Sequence, residues 1–80
     1  MNLDLDAVRR ALTQECELAI AHYCKHPTKK SRSESFMLLE GIYHGVEAVA
    51  LALQPGSDNP LREMARSLVQ EYQERLRGLK

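Results

Sequence analysis

Little in this chain of 80 residues announces chemistry. It has no glycine-rich cradle for nucleotide phosphates, which excludes a P-loop. It has no excess of charge. Eleven Lys and Arg balance eleven Asp and Glu, so no global field draws in nucleic acid or an anionic membrane. Cysteine is scarce. Cys16 and Cys24 lie eight residues apart on one predicted helix, about 12 Å along its axis. A disulfide needs Cα atoms within about 7 Å, so the two cannot pair with each other and reduced thiols are expected. Glu40, His44 and Glu47 interrupt the longest apolar run, leaving it short of the ~20 residues that span a bilayer, so no membrane association is expected. Met1-Asn2-Leu3-Asp4 lacks the basic and apolar regions of a signal peptide, and the expected location is cytoplasmic. No repeat or low-complexity tract divides the chain, so residues 1–80 are expected to form one domain. So small a domain buries only about 60% of its unfolded surface, and often gains stability by oligomerising.

What is present is a clear partition. A hydrophobic content of 44% with 28% charged residues is globular. Two breaks, His26-Pro27-Thr28-Lys29-Lys30-Ser31 and Gln54-Pro55-Gly56-Ser57-Asp58-Asn59-Pro60, separate three segments whose apolar residues recur every three or four positions. The expectation is an all-α fold: an antiparallel up-down-up three-helix bundle with helices over about 3–25, 32–53 and 60–79, self-associating.

Each segment has its own faces. The first places Leu5, Val8, Leu12, Cys16, Ala19, Ile20 and Tyr23 on one stripe, with Asp4 and Asp6 in its first turn. The second opens on Ser31-Arg32-Ser33-Glu34, the pattern of a capping box. It then carries a broad face of Leu38, Leu39, Ile42, Val46, Val49 and Leu53, a stripe of Gly41, Gly45, Ala48 and Ala52, and a narrow polar strip. A helix apolar over most of its circumference expects neighbours on more than one side. The third starts at Asn59-Pro60, a cap followed by proline at the first helical position. One face there holds Leu61, Met64, Ala65, Leu68, Val69, Tyr72, Leu76 and Leu79, and Glu71 is spaced to pair with Arg75.

Four features are candidates for function. Gly41, Gly45, Ala48 and Ala52 form the first, a candidate interface, because mid-helix glycine costs about 1 kcal/mol relative to Ala unless close approach offsets it. The plainer cover is another helix of the same chain, through Ala7 and Ala11; the alternative is a symmetric partner. Second, Glu40, His44 and Glu47 share a face, but no second Glu-x-x-His exists in the chain, so a solvated strip is expected, with neither metal nor other cofactor. Third, Lys29, Lys30, Ser31 and Arg32 stand at the start of the second helix as a candidate anion site. Fourth, Cys24 could be accessible, but no His-Asn or His-Asp set is identifiable around it. Tyr23, Tyr43 and Tyr72 are expected at core edges with their hydroxyls in water.

The expected function is therefore non-enzymatic: a protein-binding module acting through helix–helix contacts, as a subunit, adaptor, small chaperone or inhibitor of a larger protein. The alternative is a regulator that binds a phosphorylated ligand or nucleic-acid backbone at the basic loop 25–32.

Overall fold

The computed structural model describes residues 4–56 and 58–79. It contains three α-helices and, among the described residues, no strand: α1 over Leu5–Lys25, α2 over Lys29–Leu53 and α3 over Pro60–Gly78. Each begins on a side-chain cap. Asp4 accepts from the Ala7 amide at 3.1 Å. Asn59 accepts from the Arg62 amide at 3.1 Å, with Pro60 behind it in the first turn. Such caps satisfy amides that the helix itself cannot.

The start of α2 differs from the expected one. Thr28, not Ser31, is its cap, and Ser31 is the third helical residue. The box is reciprocal: the Ser31 amide donates to Thr28 Oγ1 at 3.0 Å, and the Thr28 amide to Ser31 Oγ at 2.9 Å. Ser31 Oγ also donates to the His26 carbonyl at 2.6 Å. Glu34 makes no box and instead faces His22 at 3.1 Å. The earlier start exploits a second cap pattern in the same stretch and leaves Lys29 and Lys30 in a first turn without acidic residues.

One core joins the helices. Leu12, Cys16, Ala19, Ile20 and Tyr23 of α1 meet Leu39 of α2 and Ala65, Leu68, Val69, Tyr72 and Leu76 of α3. All three helix pairs are in contact. The stripes of α1 and α3 fall where their periodicity places them. α2 does not follow its expected face: Leu39 is buried, Ile42 and Val46 are half-buried, and Val49 is exposed. Ser31, Ser35 and Ala50 are buried in its place.

Polar ties cross the core's edges. Arg32 donates to the Leu76 and Leu79 carbonyls and to the Tyr23 hydroxyl, and its guanidinium lies 4.5 Å from the centre of the Tyr23 ring. It thereby adds a side-chain donor to carbonyls at the C-terminus of α3, where the Leu76 carbonyl also accepts from the Leu79 amide at 3.2 Å. Arg75, expected to pair with Glu71, reaches Glu17 of α1 instead, at 3.1 Å. Gly56 has φ +131°, a left-handed conformation glycine adopts without strain, where the chain turns between α2 and α3.

Candidate functional site

Among the described residues, the exposed large apolar side chains lie on α2 with the exception of Leu18. Leu39 is 0% exposed, yet Met37, Leu38, Val49 and Leu53 of the same helix are 71%, 50%, 54% and 62% exposed. Gly41, Gly45, Ala48 and Ala52 are exposed among them. A Cβ added at Gly41 or Gly45 would meet nothing within 4 Å. Ala7 and Ala11 are themselves exposed, so no helix of this chain covers the stripe, contrary to the plainer expectation. Gly41 and Gly45 line an apolar groove of about 450 Å³ together with Val8 and Leu12 of α1, Ile42 and Val49 of α2, and Leu61 of α3.

By length and composition alone α2 is also long and apolar enough to cross a membrane, despite the interruptions noted in the sequence. Its inner side nevertheless packs Leu39 and Ala50 against the rest of the chain.

The flank facing α3 is polar and internally bonded. Glu47 accepts from the Tyr43 hydroxyl at 2.8 Å and from Arg62 Nε at 2.9 Å, with His44 Nδ1 at 3.6 Å. The Tyr43 bond first, and then the Arg62 and His44 contacts, hold the Glu47 carboxyl below its ordinary range. Glu40, His44 and Glu47 border a groove of about 380 Å³ with Arg66, Gln70 and Gln73. Among the described residues no three His, Cys, Asp or Glu side chains are grouped to hold a metal ion.

The four residues of the candidate anion site are placed unequally. Lys29 and Lys30 are exposed in the first turn of α2. Ser31 is buried and its hydroxyl is held within the cap. The Arg32 guanidinium is turned to α3 and Tyr23. Ser31 and Arg32 thus spend their polar groups inside the fold, an outcome that needs the third dimension to be seen.

The tyrosine hydroxyls are bonded rather than simply wet. Tyr72 donates to Glu17 Oε1 at 2.6 Å, a bond that, with burial, pushes its phenol up to about 12. The same bond, followed by those from Arg75, lowers Glu17. Cys16 is fully buried and its thiol is pushed up to about 11, chiefly by desolvation, so it is unreactive. Cys24 is exposed.

No family model, curated protein or solved structure matches the chain.

Proposed function

We propose that this chain is a non-enzymatic helical module, an up-down-up bundle that works by helix–helix contact as a subunit, adaptor, small chaperone or inhibitor. The observation that carries this reading is the open apolar side of α2, with Leu38, Val49 and Leu53 exposed around two glycines. Exposed apolar patches of this kind mark contact surfaces on small domains. These side chains are already about half buried, so covering each would stabilise a complex by about 1–1.5 kcal/mol before the cost of association. The free cysteines fit a reducing, cytoplasmic setting.

The test is a paired capture from the source cell, using the tagged protein and its Leu38→Glu/Val49→Glu variant. Both positions are exposed, so the variant should keep its melting temperature. Proteins recovered with the wild type and lost with the variant support the reading. An identical set from both, or none from either, contradicts it.

A further inference from the structure

We propose that the hollow between the first two turns of α2 and the last turn of α3 binds a small phosphate monoester, its phosphate carried on an aromatic or branched apolar group. None of the residues lining this hollow belongs to the exposed apolar set of α2, so its test and the paired capture succeed or fail separately.

Uncompensated charge is the first support. Lys29, Arg32 and Arg77 line the hollow, of about 300 Å³, together with Ser33, Phe36 and Leu76, and no carboxylate is among them. Arg32 spends its hydrogen bonds on two carbonyls and the Tyr23 hydroxyl, all neutral acceptors. Its charge is left unpaired, although the residue is half-buried. Among the described residues no carboxylate stands within ion-pair distance of Lys29, Arg32 or Arg77, whereas Arg62 and Arg75 each hold one. The first turn of α2 has no acidic residue either. Three like charges around one hollow repel one another, and a dianion set between them relieves that repulsion.

The donor set is the second support. Lys29, Ser33 and Arg77 are exposed, so their polar ends can turn to a ligand. The Arg77 guanidinium lies 5.4 Å from the centre of the Phe36 ring, which holds it over the hollow. A phosphate monoester carries about −1.5 to −2 charge at pH 7 and three acceptor oxygens. An ammonium, a guanidinium fork and a hydroxyl match those oxygens one for one. A carboxylate brings a single charge and leaves more of the field unmet. The Phe36 and Leu76 side chains offer no donor, so the part of the ligand against them is apolar.

The experiment is an NMR titration of the full chain with phenyl phosphate, inorganic phosphate, benzoate and benzyl alcohol at matched ionic strength. Phenyl phosphate should bind with a dissociation constant below about 1 mM, and about tenfold tighter than each of the others. Its shifts should centre on Lys29, Ser33, Phe36 and Arg77, and its affinity should fall as salt is raised. Lys29→Met and Arg77→Met keep the apolar stems and lose the charges. Each should weaken binding about tenfold and leave the melting temperature unchanged. Arg9→Ala/Arg10→Ala removes more positive charge from the other half of the molecule and should leave binding as it is. A short peptide carrying phosphotyrosine separates the sources. Tighter binding than phenyl phosphate marks a phosphate borne by a protein, and equal or weaker binding marks a small metabolite.

Phenyl phosphate binding no tighter than inorganic phosphate overturns the site, as do shifts centred elsewhere. Unchanged affinity in Lys29→Met and Arg77→Met, or an equal loss in Arg9→Ala/Arg10→Ala, overturns it as well.

Discussion

The Asn59 side-chain amide donates to the carbonyl of Ala50 at 2.8 Å and to that of Gln54 at 2.9 Å. The same residue caps α3 through its Oδ1. One buried side chain, 2% exposed, therefore closes the end of α2 and the start of α3 together. Asn59→Ala removes the cap and leaves the Gln54 carbonyl without that partner. The expected cost is about 2–4 kcal/mol, the sum of a lost cap and lost buried bonds. Asn59→Asp keeps the cap's acceptor but sets a buried carboxylate oxygen against the Ala50 and Gln54 carbonyls, so it should cost at least as much. Urea unfolding checks both, and an alanine variant within about 0.5 kcal/mol of wild type would show that the ties are energetically idle.

Arg32 performs the corresponding task at the other end of α3, where it serves the Leu76 and Leu79 carbonyls. Arg32→Met should cost about 1.5–3 kcal/mol, the range for charge-assisted bonds. Arg32→Lys should recover only part of this, because a single ammonium cannot reproduce the planar fork. Amide exchange should quicken in the last turn of α3 more than in α1. Uniform quickening would mean that Arg32 supports the core generally.

Position 39 should be far more sensitive than position 49. Leu39→Ala opens a cavity at a fully buried site and should cost about 2–5 kcal/mol. Val49→Ala removes an exposed side chain and raises helix propensity, so it should be neutral or slightly stabilising. Equal losses would mean that α2 is rotated from the orientation described.

These two positions show what was legible in the sequence. In α1 and α3 the polar and apolar sides alternate cleanly, so Leu12, Leu68 and Tyr72 fall in the core as expected. In α2 nearly every arc is apolar, and periodicity cannot say which one faces in. Leu38 and Val49 looked equivalent to Leu39, and only packing between α1 and α3 separates them. The small-residue stripe was visible, but its openness depends on where α1 lies. Arg32 read as a loop cation because its acceptors are backbone carbonyls 44 and 47 residues away.

Stability should fall at both ends of the pH scale. Glu17 and Glu47 are lowered from 4.5, so their contributions are whole above that value and are lost as pH falls through the lowered ones. Cys16 and Tyr72 are raised from 9.0 and 10.0 to about 11 and about 12, so theirs are whole below the ordinary values and lost as pH climbs through the raised ones. Tyr72→Phe removes the donor to Glu17 and should flatten part of both limbs. Unfolding midpoints measured across pH test this, and unchanged limbs in that variant would dissociate the pair from the effect.

The central claim is that the outer side of α2 touches protein. A photoreactive residue placed at position 38 or 49, with controls at Ser33 and Glu74, tests it in the living cell. All four positions are exposed, so access does not bias the comparison. Protein adducts are expected from 38 and 49, and none from the controls. Equal adducts at all four positions, or none at 38 and 49, would contradict it.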